Sequence, residues 1–177
     1  GTIFQGLPQD DHQSGPSNRW SDHSYPYQQK DLVAAIYQMA RAEPACHQAD
    51  GYQFDMVNLT RQALSNQAAI IHARMMLAAE SKDLPAFRRE AALFLDIGRD
   101  IDTLLATRHE FLLGRWLADA RSWGTTPAEQ AYYESDARQI LTTWHKAGTC
   151  LDDYANRQWN GLMGSYYLER WQEYIKR

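Results

Sequence analysis

From Leu32 onward, apolar residues recur every three to four positions, and no segment alternates Val, Ile and Thr as a strand would. That pattern points to an all-α bundle of about six antiparallel helices, preceded by an irregular N-terminal segment. The first helix is expected over residues 28–41, with Leu32, Val33, Ile36, Tyr37 and Ala40 on one face and Glu43-Pro44 ending it. The second is expected over 54–81. Its apolar stripe is Phe54, Val57, Leu59, Leu64, Ala68, Ile71, Met75 and Leu77, and Asn66, His72 and Arg74 lie on other faces. The third, over 84–106, has Asp83 as its N-cap and Pro85 in its first turn. Gly98 inside it costs about 1 kcal/mol against Ala, and it marks a close helix crossing. The fourth is expected over 110–122, with Gly124 as its stop.

The start of the fifth helix is the clearest local signal. Thr126-Pro127-Ala128-Glu129 puts Thr at the cap, Pro at the first helical position and Glu three residues past the cap, which is a capping box. This helix should reach Trp144 or His145, and a sixth should run over 152–175. Between them lies a short hinge, His145 to Cys150. Rings crowd both of its sides: Trp144, Tyr154, Trp159, Tyr166, Tyr167 and Trp171. An ordinary helix pair needs no such number of rings with polar tips, because a buried indole N–H or phenol O–H must find a partner. The same set suits a sugar pocket, where C–H faces lie on rings and hydroxyls meet the tips. On composition alone, packing and pocket both remain open.

Residues 1–27 are rich in Gly, Pro, Ser, Asp and Asn without a sustained period, yet carry Phe4, Trp20, Tyr25 and Tyr27. They are expected to pack on the bundle or on a missing neighbouring domain. The chain has 177 residues, enough to bury a core of its own. With 18 basic and 22 acidic residues it carries a net charge of −4, and no basic block stands out. Nucleic acid and anionic membrane surfaces are therefore poor partners. No apolar run is long enough to span a membrane. The chain starts at Gly1 without a visible secretory signal, which reads as an excised or processed piece.

Chemistry-bearing patterns are few. The six histidines are scattered, with no His-x-x-x-His or Glu-x-x-His pair, so neither a metal nor a cofactor is expected. Cys46 and Cys150 lack the spacing of a zinc or redox motif. Asp152-Asp153 is a tempting carboxylate pair, but adjacent helical residues do not face each other. One of the two is expected to cap the sixth helix. Glycoside hydrolysis needs carboxyls on both sides of the scissile bond, and no such pair is evident.

Four ordered segments carry a resemblance: FDMVNLTRQ (54–62), FLLGRWLADAR (111–121), YESDARQILTTW (133–144) and LDDYANRQWNGLMGSYYLERW (151–171). Together they resemble the C-terminal helical region of glycoside hydrolase family 89, the α-N-acetylglucosaminidases, from about residue 50 onward. The resemblance implies a retaining, exo-acting enzyme whose two catalytic glutamates sit on a (β/α)₈ barrel. A barrel needs about 250 residues with strand–helix alternation, so it would lie outside this sequence. No catalytic residue is then expected here. The helical domain would close one wall of the pocket for a terminal N-acetylglucosamine. Trp144, six residues after the arginine of the YxxxxR motif (Tyr133, Arg138), matches the family's pocket tryptophan. Leu151 matches an apolar pocket residue, and Tyr154 matches the tyrosine of the DYAN run. His12, with His23 as the alternative, matches a pocket histidine.

Arg138 reads as structural, bonding the hinge carbonyls or Asp153, while Asn156, Arg157 and Gln158 read as helix-end and interdomain contacts. The implied partners are a glycan ending in α-linked N-acetylglucosamine and an upstream barrel of the same polypeptide. The implied location is secreted, periplasmic or cell-surface, or lysosomal in a eukaryote. A standalone carbohydrate-binding or protein-interaction domain is the alternative that composition allows.

Overall fold

The computed structural model describes residues 2–5, 26–42, 44–144 and 153–176. A 3₁₀ turn at Ile3–Gln5 is followed by α1 (Gln29–Ala40), the one-turn α2 (Pro44–His47), α3 (Asp50–Glu80) and α4 (Leu84–Leu105). A second 3₁₀ turn at His109–Phe111 leads into α5 (Leu113–Arg121) and α6 (Pro127–Leu141), and a π-helical turn at Met163–Tyr167 runs into α7 (Leu168–Lys176). Among the described residues six longer helices thus make up the bundle, as the periodicity requires. Among the described residues the only extended pairing is a single parallel bridge, Leu112 with Asn160.

Local signals decide the helix starts they were expected to decide. Asp83 accepts from Ala86 N–H at 3.0 Å and caps α4, after Lys82 turns the chain with φ +56°. At α6 the capping box is complete. Thr126 Oγ1 accepts from Glu129 N–H at 3.2 Å, and Glu129 Oε2 accepts from Thr126 N–H at 3.1 Å. Bonds from the Thr125 hydroxyl and backbone, then from the Thr126 backbone, hold the Glu129 carboxyl below its ordinary pKa. Gly124 does follow α5, but φ is not its reason. A Cβ there would sit 2.5 Å from the backbone nitrogen of Gln130, inside the first turn of α6.

The core sits where the 3₁₀ turn, α3, α4 and α7 meet. Phe4 stacks on Phe94 with ring centroids 4.6 Å apart, and Phe94 meets Trp171 edge-on at 4.9 Å. Trp171 Nε1 donates to the Phe4 carbonyl at 3.0 Å, so the indole keeps its polar partner. Gly98 marks the crossing of α4 with the C-terminal helix. A Cβ there would collide with Leu168 Cδ2 and reach Phe4 Cε1 at 3.0 Å. On α3 the expected stripe is only partly right. Leu77 is 63% exposed, whereas His72 is buried with its ring 5.3 Å from Trp171. The helix is flanked on more than one side: Tyr52 Oη donates to Met39 O on α1, while the His72 ring lies between Phe94 of α4 and Trp171 of α7.

Two helix starts that bear on the site differ from expectation. Leu112 is extended (φ −93°, ψ 120°) because Asn160 N–H donates to Phe111 O at 2.8 Å and Leu113 N–H donates to Asn160 O at 3.2 Å. The pairing delays α5 to Leu113. The last helix was expected from residue 152, but the first helical residue is Leu162. Its cap comes from α4. The Asp102 carboxylate accepts from Gly161 N–H at 2.7 Å and Gly164 N–H at 3.1 Å through Oδ1, and from Asn160 Nδ2 at 3.1 Å through Oδ2. The two backbone N–H groups are orphan donors of a helix start, and the Asn160 amide ties the incoming chain to the same carboxylate. Gly161 takes φ +86° to enter the cradle.

Candidate functional site

The site lies where α6 ends and residues 153–161 return to the bundle. α6 stops at Leu141, three residues before Trp144, instead of reaching it. Trp144 then turns with φ +57°, and its N–H donates to Gln139 O at 2.6 Å. The returning strand of chain takes φ +59° at Asp153, whose N–H donates to Thr142 O at 2.6 Å. Left-handed backbone costs a non-glycine residue roughly 1–2 kcal/mol, so surrounding bonds must hold both positions.

Those two turns aim side chains in opposite directions. Asp153 points inward and is 2% exposed, while Tyr154 beside it is 46% exposed. The Tyr154 ring meets the Trp144 ring edge-on, centroids 4.9 Å apart at 69°, and Trp144 is 38% exposed. The structure therefore brings Trp144 and Tyr154 together as one open ring pair. Leu151 and His12, the other two candidates, lie outside the described residues, as do His23, Asp152 and Cys150.

Beneath the pair, Asp153 Oδ2 accepts from Arg170 Nη1 at 2.7 Å. Arg170 Nη2 donates to the Gln5 carbonyl at 3.1 Å, and its guanidinium lies 5.0 Å from the Tyr166 ring centroid and 5.4 Å from that of Tyr167. Tyr167 is fully buried. Burial first, and the Asp153 charge second, push its phenol above the ordinary range, so it stays neutral. Asn156 closes the Asp153 turn, its N–H and Nδ2 donating to the Asp153 carbonyl at 3.1 and 2.7 Å. An open depression of about 260 Å³ adjoins the end of α6, with Arg138, Thr142, Ser165 and Tyr166 in its wall. A second, more apolar cleft lies between α5 and α6 around Trp116, Trp123 and Tyr133, and includes neither Trp144 nor Tyr154.

Three residue readings change. Arg138 does not reach Asp153, and the hinge carbonyls, its other expected partners, lie outside the described residues. It forms a helical pair with Glu134 at 2.6 Å and, with Arg121, holds that carboxyl below its ordinary pKa. Asp153 does not cap a helix, because Arg170 claims its carboxylate. Gln158 is no interdomain contact. It is buried, donating through Nε2 to Ser65 Oγ at 2.9 Å and accepting from Arg61 Nη1 at 2.5 Å. Arg170 is the residue the sequence reading missed. It sits 17 positions from Asp153, so no helical spacing links them.

The chemistry on offer is contact. The ring pair presents π-faces and a phenol tip, and the buried Asp153 carboxylate is held in an ion pair with Arg170. Among the described residues no cluster of His, Cys, Asp and Glu could hold a metal ion. Fold and site together define the class: an all-α domain that presents a braced ring pair at the end of one helix. The chain belongs to the family described as the α-N-acetylglucosaminidase (NAGLU) C-terminal domain, whose model matches residues 2–177. It is similar to the human α-N-acetylglucosaminidase, 32% identical over 151 residues, which make up 85% of this chain and 20% of that protein.

Among solved structures it resembles a family 89 glycoside hydrolase from Clostridium perfringens in complex with PUGNAc. That match has a TM-score of 0.91 and 28% identity, over 99% of this chain and 20% of that one. The same figures hold for a Clostridium perfringens family 89 structure in complex with 2-acetamido-1,2-dideoxynojirmycin. The chain thus spans 20% of the length of these relatives.

Proposed function

We propose that this chain works as the C-terminal helical domain of a retaining, exo-acting α-N-acetylglucosaminidase. In this reading it closes one wall of the pocket for a terminal α-linked N-acetylglucosamine. The carrying observation is the Trp144–Tyr154 pair, open to solvent yet fixed from below, in a member of this domain family. A sugar C–H face laid on the indole would be desolvated, while the phenol tip meets a hydroxyl. Leu151 and His12 complete the proposed wall. Closing the open face of a barrel in this way admits only a chain end and excludes water from the bond being broken.

The catalytic carboxyls belong to a (β/α)₈ domain of the same polypeptide, which is the domain's first partner. The second is the glycan. A net charge of −4 gives no help in holding a sulfated polymer, which favours neutral glycans. No described helix is long and apolar enough to cross a membrane. A secreted, periplasmic, cell-surface or lysosomal setting fits the family.

The test is hydrolysis of an aryl α-N-acetylglucosaminide by this chain alone and by the same chain joined to its native upstream sequence. Turnover by the longer polypeptide only is expected. If both are folded and neither turns over, the chain serves binding or interaction instead. Turnover by this chain alone would return the chemistry to the Asp152–Asp153 region.

A further inference from the structure

Trp144 and Tyr154 are each more than a third exposed, so burial alone does not set their geometry. Both stand on left-handed turns, Trp144 on its own and Tyr154 on that of Asp153. The residue that ties the two turns together is Asp153. Its backbone N–H is bonded to Thr142, two residues before Trp144, and its carboxylate is bonded to Arg170. Arg170 in turn touches three elements. It grips the 3₁₀ turn through the Gln5 carbonyl, lies against Tyr166 and Tyr167 of the π turn, and holds the returning chain through Asp153. A guanidinium serves two directions at once because its donors are fixed in a planar fork, which a lysine ammonium is not. The side chain of Arg170 is 17% exposed and that of Asp153 is 2% exposed, so water competes little for the pair.

We propose that Arg170 is a positioning residue. Through Asp153 it sets the angle and spacing of the Trp144–Tyr154 ring pair, and so the shape of the sugar-facing wall. The inference rests on the reading that this pair meets the sugar. Arg170 itself touches no substrate. A wall displaced by about 1 Å can cost a hundredfold in rate, because the bound geometry is then no longer near attack.

The test uses the full polypeptide labelled with 5-fluorotryptophan, with the Trp144 signal assigned by its loss in Trp144→Phe. Asp153→Asn and Arg170→Lys should each shift or broaden that signal while the Trp123 signal stays in place. Both should lower kcat/KM for an aryl α-N-acetylglucosaminide by about tenfold to a hundredfold. The loss should fall mainly on kcat, as expected when an interaction made in the transition state is misplaced. Trp144→Phe combined with Asp153→Asn should lose no more than the worse single variant, since both act through one ring. A merely structural ion pair would lower Tm and leave the label where it was. If Arg170→Lys does not fold, Asp153→Asn carries the same measurements. An unmoved Trp144 signal in folded Asp153→Asn overturns the proposal whatever the kinetics do. A moved signal with parental kcat and KM overturns it through its premise, and the pocket-wall reading of the ring pair falls with it.

Discussion

Two groups of rings in this molecule are held by different physics. Phe4, His72, Phe94 and Trp171 interlock in the core, and each is less than a tenth exposed. Their geometry follows from apolar area removed from water and from one indole bond to a carbonyl. Trp144 and Tyr154 make an edge-on contact of the same kind at the end of α6, at 38% and 46% exposure. What fixes them is backbone: two left-handed turns, a bond from Asp153 N–H to Thr142, and a buried ion pair. The first group is the protein's own interior. The second is a ring pair left open to solvent and held from its backbone side.

Four measurements break or sharpen that contrast. The largest effect on stability should come from Trp171→Ala, which empties the core cluster and orphans the Phe4 carbonyl. A loss of about 3–5 kcal/mol is expected by urea unfolding, against under about 1 kcal/mol for Trp144→Ala. In the full polypeptide the order should invert, with Trp144→Ala lowering turnover on the aryl glycoside by about a hundredfold while the fold stays intact. Parental kinetics in a folded Trp144→Ala would remove this residue from the pocket.

Gly98→Ala comes next. It forces Leu168 and Phe4 apart within the first cluster and should cost about 1–3 kcal/mol in spite of alanine's better helix propensity. A neutral or stabilised variant would mean the core there is looser than it looks.

The smallest effect is electrostatic and touches neither cluster. Glu129 at the α6 cap and Glu134 beneath Arg138 titrate below the ordinary value of 4.5. In the unfolded chain they return to that value, so the folded state binds fewer protons. Their stabilisation is therefore present in full above about pH 5 and is lost as pH falls through the depressed values. Glu129→Gln should flatten the acid limb of the stability profile and leave the neutral region nearly level. An unchanged acid limb would assign the acid sensitivity to other carboxyls.

What was legible in the sequence divides along the same line. Helix caps closed within three residues are legible directly: Asp83 over Ala86 and Thr126 with Glu129. Trp144 and Tyr154 were also nameable, through the motifs around them. What could not be read was which distant group would reach back. The 152–153 acidic pair looks like a helix cap, yet Asp102, 59 residues from Gly161, takes that role and moves the helix start to Leu162. Arg138 looked like the partner of Asp153 and proved to be the partner of Glu134, four positions away. Arg170 took its place because the bundle folds α7 under the returning chain. Periodicity gives a helix a face. It does not say which of several neighbours that face will meet, which is why Leu77, on the apolar stripe, is exposed and His72, off it, is buried.

The Phe4–Phe94 stack has a mechanical side. The chain enters the domain through the middle of its core, at Phe4, before the first helix begins. Tension applied from the N-terminal side is therefore carried by an interlocked ring and by Arg170, which holds Gln5 next to it. It does not peel a helix from its end. The turn at Ile3–Gln5 is thus an anchor set in the interior, and what pulls on it pulls on the core itself.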